Sequence, residues 1–212
     1  MLSLLWLIWL PLTGHSRSDW VIVVGTYFAI FILADVTTTN VLGADHARVR
    51  TSLLRRAPVH RILLIKNLAL IVIVGIPTLL ATAILTVTSE DSYRLALTLP
   101  GVAFPILTWL GVGNLVSVIL PVATVPLRQR WQERRQLERT GRWMAHLGLP
   151  YALLYAVDPV GRIPRDLIQA LPRSLHTVEL RGAVIGLTGI AIWFLGTLAA
   201  SGIVRVRGLR LR

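Results

Sequence analysis

The sequence predicts an all-α integral membrane protein with about six transmembrane helices, carried as a single transmembrane domain over residues 1–212. Hydrophobic residues make up 54% of the chain and charged residues only 15%, where a soluble domain carries roughly a quarter charged. The apolar residues run on without the one-faced periodicity of a soluble amphipathic helix. Several runs reach the roughly 20 residues that a hydrocarbon core about 30 Å thick demands. Finally, most of the basic residues stand at the ends of those runs, as the positive-inside rule describes.

The first run, residues 2–13, rises only about 18 Å as a helix, so it is expected to be a short, truncated or tilted span with Trp6 and Trp9 near the interface. A basic n-region and a small-x-small cleavage site are both missing, which argues against a signal peptide. Residues 20–41 form a second span ending in Thr37-Thr38-Thr39-Asn40. Residues 44–56 then hold no breaker, and Ala47, Leu53, Leu54 and Ala57 fall near one helical face with arginines around it. This reads as a short amphipathic helix at the cytoplasmic surface, closed by Pro58.

A third span, 62–88, carries Lys66 and Asn67 near its basic end and Pro77 in its middle. The short acidic link around Glu90-Asp91 belongs outside, and a fourth span, 99–125, interrupted by Pro105, returns the chain to a second basic stretch, 127–142. The fifth run, 143–157, is weakened by Gly148 and Pro150. Residues 158–182 are too apolar for a free loop and too broken by proline for a span, so they suit a helical hairpin in the outer leaflet. The last span, 183–204, ends at Arg205, Arg207, Arg210 and Arg212. Six crossings keep the three arginine-rich segments and both termini on the cytoplasmic side.

The formal net charge of +12 invites a nucleic-acid reading. The position of the arginines at span ends argues for a membrane instead, and no nucleic-acid partner is expected. There is no cysteine, and the five histidines are scattered without ligand spacing, so neither a metal nor another cofactor is expected. Lys66, the single lysine, lacks the glycines of a P-loop, so ATP-driven work would require another polypeptide. The acids are spread singly apart from Glu90-Asp91, which leaves no catalytic constellation and argues against an enzyme.

Asp35 is the one acid inside a span and is by default a functional candidate, with snorkelling or pairing to Arg48 or Lys66 as the structural alternative. Asn114 and Ser117 read first as helix-to-helix hydrogen bonds. Gly182 and Gly186, continued loosely by Gly196 and Ala200, read as a packing face.

Two segments resemble the permease subunits of ABC-2 type ABC transporters. One runs from Asn40-Val41-Leu42-Gly43-Ala44-Asp45 through Ser52–Pro58 to Lys66-Asn67; the other is Gly113-Asn114-Leu115-Val116-Ser117-Val118-Ile119-Leu120-Pro121. The resemblance implies a coupling helix, with Asp45, His46, Arg48, Arg50, Leu53, Leu54, Arg55 and Arg56, that seats in a separate ATP-binding cassette ATPase. Asp35, Asn40, Lys66, Asn114 and Ser117 would be intramembrane polar positions. It also implies a second permease copy or homologue, a pathway lined by spans one, two and five, and export of a drug, lipid or lipid-linked glycan across a bacterial plasma (inner) membrane. The rival readings are a non-transporting assembly or regulatory subunit and an intramembrane enzyme.

Overall fold

The computed structural model describes residues 40–55, 57–89, 91–119, 121 and 162–208, with Val21, Thr140, Gly141, Met144, Ala145, Gly148 and Ala152 as isolated positions. The expected span 2–13, most of 20–41 and of 143–157, Asp35 and Arg56 lie outside the described residues. Among the described residues every regular element is helical. They are α1 (Val41–Ala44), α2 (His46–Leu54), α3 (Val59–Leu70), a π-helical turn (Ile71–Gly75), α4 (Ile76–Ser89), α5 (Leu95–Ile119) and α6 (Val178–Arg207), with short 3-10 turns before α5 and α6. Helical residues 162–170 fall within the segment expected to form the outer hairpin.

Three of these stretches are long and apolar enough to cross a membrane: Val59–Thr88 with 30 residues, Ser92–Ile119 with 28 and Val178–Arg207 with 30. Each spans about 40–45 Å at 1.5 Å per residue, enough to traverse a hydrocarbon core about 30 Å thick and reach both headgroup layers. Each also starts before the sequence-based boundary. Pro58, extended at φ −71° and ψ 139°, opens the first of them, where its missing N–H costs nothing. Thr177 caps the last, its hydroxyl accepting from the Leu180 N–H, while Glu179 in the first turn and Arg205 and Arg207 in the last complement the helix dipole.

Prolines act differently in the two central spans. Pro77 lacks the N–H that would bond the carbonyl four residues back and its ring crowds that carbonyl. The wider π turn ending at Gly75, immediately upstream, relieves this crowding. By contrast α5 runs unbroken through Pro100 and Pro105, so the interruption expected at Pro105 is not present.

Side chains are sorted inside out relative to a soluble protein. Thr78, Thr82 and Thr86 are buried along one face of α4, each hydroxyl donating to the carbonyl four residues back. Leu80, Ile84 and Val87 on the same helix are more than half exposed, as are Leu187, Phe194 and Leu195 on α6. Apolar surface of that extent is costly in water and suits lipid. Hydroxyls bonded back to their own helix are the polar groups a membrane interior tolerates.

The central helix is α5: 67% of its apolar window is buried, against 22% for each of the other two spans. It packs along α6 with ascending register, Ala96 against Gly182, Phe104 against Gly189 and Gly111 against Gly196, so the two helices run parallel. Gly182, Gly189 and Gly196 recur every seven residues and are buried, as is Ala200. That period gives a left-handed small-residue seam. Pro100 leaves the Ala96 carbonyl without its intrahelical donor, and Gly182 brings bare backbone against that carbonyl.

Candidate functional site

One end of the bundle gathers the residues singled out by the sequence. Val41 and Leu42 of α1, Val49 of α2, Leu63 of α3, Val118 of α5 and Ala200 of α6 form a single buried cluster. Since this cluster joins the start of α3 to the ends of α5 and α6, Arg48, Arg50, Arg55, Arg61, Lys66, Arg205 and Arg207 all lie at the same end. The opposite end carries both signs: Asp91 and Arg94 before α5, Arg173 in the turn before α6, Glu179 and Arg181 at the start of α6. Among the described residues the first and third basic stretches therefore share one end of the bundle, while Arg94, Arg173 and Arg181 at the other end dilute the asymmetry.

Helix α2 is tied down by three contacts. Val49 is buried and Leu53 packs beside it, four residues on and on the same helical face. Asp45, at the N-cap of α2, makes no side-chain cap bond. Its Oδ2 instead accepts from Lys66 Nζ at 2.8 Å. That hydrogen bond, together with the Lys66 charge, holds the Asp45 carboxyl below its usual range; partial burial opposes the shift and Arg48 adds to it. At the first residue of α1, the Val41 N–H donates to Ser117 Oγ at 2.9 Å, and Ser117 in turn donates to the Gly113 carbonyl at 2.7 Å. The α1 N-terminus, which has orphan donors by construction, is thus anchored on α5.

The expected apolar face of α2 needs one correction. Leu54 does not join Leu53 against the bundle but is 77% exposed, because it lies about 100° further round the helix than Leu53. The docking face is Val49 and Leu53, and Arg48, Arg50 and Arg55 point away from it, exposed. His46 opens the helix.

Asn40, at the N-cap of α1, is fully buried, and two fully buried asparagines on the longer helices complete the site. Asn114 Nδ2 donates to Thr197 Oγ1 at 2.9 Å, and Thr197 donates onward to the Trp193 carbonyl at 2.8 Å. This bond sits one residue beyond the Gly196 contact and locks α5 to α6. Asn67, on α3, has neither its amide nitrogen nor its oxygen satisfied among the described residues. An unmet carboxamide at such a position costs several kcal/mol by general estimates.

Sequence reasoning placed Asn40, Asn114, Ser117 and Lys66 in the set and offered Lys66 or Arg48 only as alternative partners of Asp35, which lies outside the described residues; the partner of Lys66 in the structure is Asp45. It missed Thr197 and Gly189. The signal for Gly189 was present: it lies midway between Gly182 and Gly196, at the heptad interval. Among the described residues no three histidine, aspartate or glutamate side chains converge. The arrangement is a rigid mount: a basic surface helix fixed to one span by an ion pair and to another through the backbone. The chain matches no protein-family model, no curated protein and no solved structure.

Proposed function

We propose that this chain is the membrane permease subunit of an ABC-2 type exporter, driven by a separate ATPase. Support comes chiefly from the junction at the basic end. The two segments that resemble that family are 76 positions apart at Val41 and Ser117, yet they are joined by a direct buried hydrogen bond. The first of them is closed on itself by the Asp45–Lys66 pair. Such a junction makes α2 a lever: displacement of α2 is passed to α3 through Asp45 and Lys66 and to α5 through Ser117.

In this reading α2 is the coupling helix. Its outward face offers Arg50 and the exposed Leu54, a cation beside an apolar knob, to a groove on the ATPase. ATP-driven closure of two ATPases would draw two such helices together, and the paired permease halves, identical or homologous, would open a path for a hydrophobic or amphipathic substrate toward the exterior. The membrane is then the plasma membrane, with the arginine-rich end cytoplasmic.

The experiment is co-purification from mild detergent followed by ATPase measurement in proteoliposomes. Arg50→Glu combined with Leu54→Glu is expected to abolish stimulation of the associated ATPase while leaving the helical content of the permease intact. A wild-type chain that brings down no ATPase would instead favour a non-transporting assembly or regulatory role.

A further inference from the structure

Helix α2 presents three faces, and the third is unused by the docking and coupling just described. Val49 and Leu53 face the bundle. Arg50 and Leu54 share a second face. Arg48, Thr51, Ser52 and Arg55 follow the i, i+3, i+4, i+7 rule and line one open hollow of about 390 Å³. The two arginines are about 10.5 Å apart along the axis, within reach of a common point between them, and the two hydroxyl residues lie in that interval. Neither Arg48 nor Arg55 forms an ion pair among the described residues, and the nearby Asp45 carboxylate is already held by Lys66.

We infer that this hollow is a binding site for the phosphate of an anionic phospholipid headgroup. Two guanidinium forks on one helical face, two turns apart, can reach a single phosphodiester, to whose oxygens arginine bonds bidentately. The Ser52 hydroxyl supplies an additional donor of the kind a phosphate takes. The location selects lipid over a soluble anion: α2 is fastened to the ends of three membrane-long helices, at the level where headgroups lie. Arg61, Arg205 and Arg207 at the same end add to the local positive potential. A headgroup bound here would hold α2 at the membrane surface independently of any ATPase.

The test uses the full-length chain purified without partners and exchanged into nanodiscs containing phosphatidylglycerol and phosphatidylcholine. Lipid retained after detergent washing is quantified by native mass spectrometry. Wild type is expected to retain phosphatidylglycerol selectively. Arg48→Gln with Arg55→Gln should lower that retention by roughly tenfold to thirtyfold, since each surface arginine contributes a factor of about five. Ser52→Asp, which keeps both arginines and sets a carboxylate in the hollow, should also lower it, whereas Arg50→Gln, which removes only diffuse charge, should lower it by no more than about fivefold. Equal retention by wild type and the double variant would overturn the site. So would an equal loss in Arg50→Gln, which would mean diffuse charge attraction, or full displacement of the lipid by millimolar inorganic phosphate, which would mean a soluble anion. No ATPase enters the measurement, so its outcome is separate from that of the transport proposal.

Discussion

Replacing Gly196 by alanine probes the seam that holds α5 to α6. A Cβ at this position would lie 2.6 Å from the Gly111 carbonyl oxygen, where ordinary contact begins at 3.4 Å, so the backbones must part by about 0.8 Å. Both neighbours are main chain, which leaves no flexible side chain to absorb the clash. Separation by this amount stretches the adjacent 2.9 Å Asn114–Thr197 hydrogen bond past its useful range. Overpacking costs about 1–3 kcal/mol, and a lost interhelical hydrogen bond adds about 0.6 kcal/mol. The expected destabilisation is therefore about 2–3 kcal/mol, read as a shift of the midpoint in a denaturant titration of the reconstituted protein. Gly111→Ala should behave similarly, its Cβ lying 2.8 Å from the Ile192 carbonyl oxygen. The double variant should cost less than the sum, because one separation relieves both clashes. A Gly196→Ala change smaller than about 0.5 kcal/mol would refute the close approach.

Two further substitutions address the basic end. The Asp45 carboxyl is held below its ordinary value, so the Lys66 pair contributes stability that is fully present above about pH 4 and is lost as pH falls through the depressed value. Because Asp45 is half exposed, the contribution is small, about 0.5–1 kcal/mol, and Asp45→Asn should abolish the corresponding acid-limb slope in stability measured between pH 5 and 2. Asn67→Leu removes a buried carboxamide with no partner among the described residues and keeps the branching at Cγ, so it should raise stability by about 1–2 kcal/mol in the same titration; a loss of that size would mean that Asn67 is bonded in the working protein.

Much of the fold is legible from the one-dimensional pattern, because a span is defined by continuous apolar length and that is a local property. Val59–Thr88, Ser92–Ile119 and Val178–Arg207 follow from it directly. Their ends were harder to place. Proline stops a helix in water more reliably than in an apolar bundle, where α6 packs closely against the carbonyl freed by Pro100, so Pro105 suggested an interruption that α5 does not have. Contacts between spans were less legible still. Asp45 and Lys66 are 21 residues apart and Asn114 and Thr197 are 83 apart, and no periodicity within either segment encodes the partner. The amphipathic face of α2 was misassigned at Leu54 because a nine-residue helix with two arginines offers only two apolar positions at true i, i+4 spacing, Val49 and Leu53. The glycine seam was half visible: Gly182 and Gly186 stand out at the small-xxx-small interval, whereas the heptad through Gly189 and Gly196 acquires meaning only beside Ala96, Phe104 and Gly111.

The account rests on the basic end of the bundle being the cytoplasmic end. The chain contains no cysteine, so single cysteines placed at Ser52 and at Ser92 report on the two ends without background. With a membrane-impermeant maleimide on intact cells, Ser92→Cys is expected to label and Ser52→Cys to label only after permeabilisation. Labelling of Ser52→Cys in intact cells would put α2 outside and contradict both the orientation and the coupling role assigned to it.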